Sequence, residues 1–229
     1  MGNQSKEQYA LITDFDLNTS FSEAFHTLFA HIRFNWETNA IEPLAIHTLL
    51  LTSVSEYLEQ SAVAANLAIV AAQSDYKTIL VDADLRSPSL QHRFGLDRSA
   101  GLSDLLEEPS ITTQKVSELL QSTFIPGLQI LTSGTSISAG ATLLLSPKLE
   151  PCMDSIRKVL EQPGNAPGFV IYHSSPVLAG ADASLIGALT EQAVLTVVAG
   201  RTTREQAKEA QEQLEQAHAK LVGAIMVNP

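Results

Sequence analysis

The chain has 229 residues, enough for one large α/β domain with its own core or for two small ones. Hydrophobic residues make up 45 %, an ordinary globular share that excludes wholesale disorder. With 14 Lys and Arg against 25 Asp and Glu, the formal net charge is -11 and no basic run interrupts it, so nucleic acid is not an expected partner. The single cysteine, Cys152, excludes an internal disulfide framework and reads as a small buried thiol. No apolar run approaches the roughly 20 residues of a membrane helix, so direct membrane insertion is not expected. The polar, acidic N-terminus carries no signal-peptide pattern, and the protein reads as cytoplasmic.

In chain order, residues 1–18 read as a flexible arm and residues 19–229 as a single domain. "SFSEAFHTLFAHIRF" is a predicted helix opened by a capping box, Ser20 with Glu23. "HTLLLTS" is a predicted strand, followed by a loop and a helix rich in small residues, "SAVAANLAIVAAQ". Further strands are predicted at "KTILVDAD", "LQILTS", "FVIYHS", "AVLTVVAG" and "LVGAIMV". Between the last two, "RTTREQAKEAQEQLEQAHAK" is a helix with a second capping box, Thr202 with Glu205. Most of the strands are continuous apolar runs, the pattern of parallel strands covered on both faces. The alternation predicts an α/β fold: a doubly wound, mostly parallel sheet with helices on both sides.

Ligands in such folds sit beyond the carboxyl ends of the strands. The segments after Thr52, Asp82, Ser133, Tyr172 and Ala199 are therefore where chemistry is expected. After the second strand, "TILVDADLRSPSLQHRFGL" places Asp82, Asp84 and Arg86 on the ligand side. Two carboxylates there suit an Mg²⁺ held largely through water. Equally, Asp84 can cap the following turn while Asp82 meets a backbone amide; spacing alone leaves both readings open.

That segment, with the following "GLSDLL", resembles the second Walker motif (A-prime) of the bacterial tyrosine kinases. These proteins act in exopolysaccharide and capsule assembly and are relatives of the ParA/MinD-type ATPases. The resemblance covers nearly the whole chain. "SEAFHTLFAHIRF" is similar to the family's first helix, "LQILTSG" to its "vLpaG" strand, and "FVIYHSSPVLAGADASLI" to "viiDtPPvl…Da". The closing "VVAGRTTREQAKEAQEQLEQAHAKLVGAIMVN" is similar to its last strand, helix and strand. The resemblance implies a P-loop NTPase-like fold.

Where the family writes its phosphate loop "TSaxPGEGKSTvAANLA", this chain has "TSVSEYLEQSAVAANLA", of equal length and matched at both ends. Glu56 stands at the Pro, Tyr57 and Glu59 at the two Gly, and Gln60 at the Lys; Ser61 keeps the hydroxyl position. Gly lets the backbone approach a phosphate without a Cβ in the way. Lys supplies a positive charge to the transferred phosphoryl group, which Gln does not. Glu56 and Glu59 face the ligand with like charge, and at an effective dielectric of 20 two such charges 4 Å apart repel by about 4 kcal/mol. His173, followed by Ser174, Ser175 and Pro176, stands where the family has an Asp that positions Mg²⁺ or its water. The vestigial nucleotide site is thus Glu56, Tyr57, Glu59, Gln60, Ser61, Asp82, Asp84, Arg86 and His173. Ser53 with Glu56 forms a capping box, and "EYLEQSAVAANLA" has neither Gly nor Pro, so the helix is expected to begin near Val54 or Ser55 and fill the phosphate space.

The family's first helix carries an E-x-x-R-x-x-R pattern that supports ring assembly. Here Glu23 remains, but His26 and Phe29 occupy the arginine positions, and Phe29 reads as an altered apolar contact on a partly exposed helix. The family's C-terminal tyrosine cluster has no counterpart; the tyrosines are Tyr9, Tyr57, Tyr76 and Tyr172.

The resemblance and its departures together imply a catalytically inactive binding or regulatory module of polysaccharide synthesis and export. Its expected partners are the cytoplasmic tail of a membrane chain-length regulator, a related kinase, or a second copy of itself. Recruitment to the inner face of the membrane would follow from the first. No cofactor and no metal site is expected, and no catalytic residue is assigned. The alternative is an ATP-dependent tyrosine kinase or ATPase that uses Asp82 and Asp84 with Mg²⁺. A ParA/MinD-type positioning scaffold is the third reading.

Overall fold

A computed structural model of the chain describes residues 11–14, 19–37, 46–57, 59–135, 140–161 and 167–228. After a 3-10 turn at Ile12–Asp14 come helix α1 (Ser20–Glu37), strand β1 (Ile46–Ser53), helix α2 (Gln60–Gln73) and strand β2 (Lys77–Ala83). Three short helices follow, α3 (Leu90–Arg93), α4 (Leu102–Glu107) and α5 (Thr113–Leu119), then strands β3 (Gln121–Ser122) and β4 (Leu128–Leu131). The rest comprises α6 (Gly140–Leu144), α7 (Leu149–Leu160), β5 (Gly168–Ser174), α8 (Asp182–Gly187), β6 (Gln192–Val198), α9 (Arg204–Gln216) and β7 (Leu221–Val227).

The strands form one sheet in the order β3-β4-β2-β5-β1-β6-β7, parallel throughout except for the two-residue β3 at one edge. Side chains alternate across it. Leu49, Leu51, Leu80, Phe169 and Ile171 meet α1 and α2 on one face, while Leu50, Ile79, Val81, Val170 and Tyr172 meet α4, α7 and α9 on the other. Burial on both faces is why these strands read as unbroken apolar runs. Helix α2 is buried over most of its length, and its alanines let it lie close between the sheet and α1.

Register decides what converges at the carboxyl ends. His173 of β5 lies opposite Leu51 of β1 on one side and Asp82 of β2 on the other, and Ser53 of β1 lies opposite Thr196 of β6. The ends of four strands thus bring the loop after β1, the turn after β2 and the bend after β5 to one edge.

Several expectations shift. Phe29 is 4 % exposed and packs edge-on against Tyr76 and Phe169, so the residue at the family's second arginine position is a core residue of this chain. Both helix starts lie one residue from the predicted boxes. Thr19 Oγ1 accepts from the Ser22 amide, and Thr203 and Gln206 cap each other's backbone amides. In the expected arm, Leu11 and Ile12 are buried, and the Ile12 amide donates to Asn66 Oδ1 at 2.7 Å. Residues 1–10, Tyr9 included, and 15–18 lie outside the described residues. Cys152 is buried, and burial pushes its thiol up to about 12. No described helix is long and apolar enough to cross a membrane.

Candidate functional site

The loop after β1 is held open by its neighbours. The Val54 amide donates to the Thr196 carbonyl at 3.1 Å, and the Val54 carbonyl accepts from the Leu178 amide at 3.2 Å. Thr52 Oγ1 donates to the Ser175 carbonyl at 2.9 Å. The Val54 carbonyl, which a helix starting there would offer to its own first turn, is instead taken by Leu178, and Ser53 Oγ donates to the Ser55 carbonyl rather than capping. The expected early helix is therefore absent: α2 begins at Gln60, and Glu59 at its N-cap makes no side-chain cap bond.

The space remains a cavity of about 460 Å³. Glu56, Tyr57, Gln60 and Ser61 line it from the loop and helix start, and Asp84, Ser87 and Ser89 from the turn after β2. His173 from β5 and Arg201 after β6 complete the wall. Of the sequence-derived site residues, Asp82, Arg86 and Glu59 are not part of this lining.

Asp82 is fully buried beneath the turn. Its Oδ2 accepts from the Ser89 and Leu90 amides at 3.1 Å each and its Oδ1 from the Asp84 amide at 3.3 Å. Burial raises its pKa to about 7 against the pull of those amides. Asp84 Oδ1 accepts from the Arg86 and Ser87 amides at 3.1 and 3.0 Å. The capping reading of both carboxylates is thus the hydrogen-bonding pattern present.

Arg86 turns away from the cavity. Its Nε and a terminal nitrogen donate to the two oxygens of Asp182 at 2.7 and 3.3 Å, and Ser175 Oγ donates to the same carboxylate at 2.9 Å. Arg93 Nε donates to Ser61 Oγ at 2.6 Å. Gln60, at the lysine position, folds back so that Nε2 donates to the Ser174 carbonyl at 2.6 Å.

His173 is 1 % exposed, and its Nδ1 has no hydrogen-bond partner among the described residues. Burial lowers its pKa to about 4, opposed by the nearby Asp84 and assisted by Arg93, so the ring is neutral near pH 7. Burial also raises the pKa of the Tyr57 phenol, with Thr196 opposing, and that of the Glu59 carboxyl, with Arg93 and Arg201 opposing.

Sequence reasoning missed Asp182, Arg93, Ser87, Ser89 and Arg201. Asp182 sits in "GADASLI" and Arg93 in "LQHRFGL", both inside segments whose likeness to the family was visible. Arg201 follows one of the five strand ends at which chemistry was expected.

A nucleotide with Mg²⁺ is the group this architecture implies, and the residues do not fit it. The side chain at the lysine position is uncharged and turned to a carbonyl, a phenol stands at a glycine position, and Glu56 adds negative charge to the lining. Among the described residues no group of three or more His, Cys, Asp or Glu side chains is placed to hold a metal ion.

The topology and the position of this cavity define a class, the P-loop nucleotide-hydrolase fold of the MinD type. MinD from Pyrococcus horikoshii, solved with Mg-ADP, superposes with a TM-score of 0.62 at 17 % identity, over 79 % of this chain and 70 % of that one, a likeness of fold alone. The chain belongs to the family of bacterial tyrosine-protein kinases: it is 34 % identical over 205 residues to tyrosine-protein kinase YwqD of Bacillus subtilis, across 90 % of this chain and 80 % of that protein. The chimerical protein CapA2B2 superposes with a TM-score of 0.78 at 28 % identity, over 95 % of this chain and 88 % of that one. No family model matches the chain.

Proposed function

We propose that this protein is a catalytically silent bacterial tyrosine kinase homologue that works as a binding and regulatory module in exopolysaccharide or capsule synthesis and export. The observation that carries the reading is the placement of Gln60: the side chain at the phosphate-binding position is neutral and hydrogen-bonded to the Ser174 carbonyl. Residues 19–229 act as one domain in the cytoplasm. The domain docks on the cytoplasmic tail of a membrane chain-length regulator, on an active kinase of the same pathway, or on a second copy, and a membrane-bound partner brings it to the inner face. Incubation of the full chain with ATP, Mg²⁺ and a tyrosine-containing acceptor, followed by mass spectrometry, tests the catalytic half. No phosphotyrosine is expected; incorporation that persists with purified chain and is lost in Asp84→Asn contradicts the reading. Capture of one of the three partners by the purified chain tests the other half.

A second reading, an ATP-dependent tyrosine kinase with an atypical loop, is favoured by the open cavity at the family's nucleotide position and by Asp84 in its lining. The same incubation separates the two.

A further inference from the structure

Charge inside the cavity is unevenly compensated. Asp84 is 5 % exposed and lines the cavity; Oδ1 takes both backbone amides, and among the described residues no hydrogen bond reaches Oδ2. Two of the cations nearby have hydrogen-bond partners of their own, and the third, Arg201, is an exposed residue of the lining. Arg86 lies in the field of Asp84, but its guanidinium bonds go to Asp182. Arg93 turns its Nε to Ser61, and both Arg93 and Arg201 act on Glu59. His173 brings no charge, and its buried Nδ1 lacks a hydrogen-bond partner among the described residues. Glu56 adds a second carboxylate to the lining and is itself exposed. A buried carboxylate is costly unless a positive group meets it, and a phosphate would add charge of the wrong sign.

We infer that the cavity accepts a positively charged guanidino or amino group where its relatives' fold accepts phosphate, with Asp84 and Glu56 as counter-charges and His173 as a neutral hydrogen-bonding wall. The inference deepens the binding-module reading and rests on it. A volume of about 460 Å³ exceeds the needs of one hydrated ion and takes a whole basic side chain. The group comes either from an Arg or Lys presented by a protein partner or from a free small amine, and the chemistry of recognition is the same.

The test uses the full ¹⁵N-labelled chain, titrated separately with argininamide and with a short Gly/Ser peptide bearing one central Arg. Saturable shifts of the His173 ring and of the Ser61 and Ser87 amides are expected. Tighter binding of the peptide assigns a partner's side chain, and equal binding assigns a free amine. Asp84→Asn is expected to weaken binding by about tenfold, the loss of one buried counter-charge. Because Asp84 also holds a turn, Glu56→Gln is the independent check: about twofold weaker binding is expected for an exposed carboxylate, against no change for Glu212→Gln, remote on α9. Absence of saturation, or equal losses in Glu56→Gln and Glu212→Gln, overturns the inference. A parallel titration with ATP and Mg²⁺ keeps the two claims apart. Nucleotide binding defeats the silent-module reading, whereas failure of both ATP and argininamide to bind defeats the cation site alone.

Discussion

Two segments face each other across the cavity, residues 54–57 and 59–61 after β1 and residues 82–90 after β2. In the second, each family-like residue helps to hold the fold. Asp82 gathers three amides, Asp84 two, and Arg86 ties the turn to Asp182. In the first, the backbone of Val54 is pinned by Thr196 and Leu178, while the exposed Glu56 has no comparable duty. The lesson is that a motif can keep its letters because the turn needs them, whatever ligand it holds. A loop held by its backbone depends less on its letters.

If that contrast is right, Asp82→Ala has the largest effect. It leaves three backbone amides without their acceptor and is expected to cost about 4 kcal/mol in urea unfolding, whereas a loss below about 1 kcal/mol would dissolve the contrast. Arg86→Ala leaves the buried Asp182 carboxylate with Ser175 alone, at about 3 kcal/mol, the low end for a broken pair because Arg86 is partly exposed.

The pH dependence sharpens the account of the buried floor. Asp82, raised to about 7, keeps a proton in the folded chain that the unfolded chain releases near its ordinary value, so its contribution to stability falls as pH rises through that window. His173, lowered to about 4, lacks a proton that the unfolded chain binds, so its contribution falls as pH drops from its ordinary value. The two oppose each other between about pH 4.5 and 6.5. Removing the titrating ring in His173→Asn is expected to expose the Asp82 slope. Relative to wild type, the variant loses about 1.4 kcal/mol per unit of rising pH in that window, measured by denaturant titrations at several pH values.

On the loop side the effects are small. Ser61→Ala removes one hydrogen bond to Arg93, at about 1 kcal/mol, and Glu56→Ala stays within about 0.5 kcal/mol of wild type in the same unfolding assay.

Much of this fold was legible in the sequence. Continuous apolar runs are what a strand covered on both faces requires, and all six predicted strands are present, joined among the described residues only by the two-residue edge strand β3, too short to leave a pattern. What failed were inferences from local letters against tertiary pairing. Ser53 and Glu56 spell a capping box, but hydrogen bonds from β6 and the segment after β5 outcompete it at Val54. Phe29 at an arginine position suggested an exposed contact, yet the apolar face of α1 carries it onto Phe169. The uncharged Gln60 and the acidic Glu56 at the cavity were readable from the sequence. The partners of Gln60 and Arg86 were not, because Ser174 and Asp182 lie about a hundred residues away in the chain.

The most direct test is a calorimetric titration of ATP with Mg²⁺ into the wild-type chain and into the fourfold variant Glu56→Pro, Tyr57→Gly, Glu59→Gly, Gln60→Lys. The proposed function predicts no saturable heat for wild type and measurable binding for the variant, which regains the family's Gly and Lys. Sub-millimolar binding by the wild-type chain would contradict it.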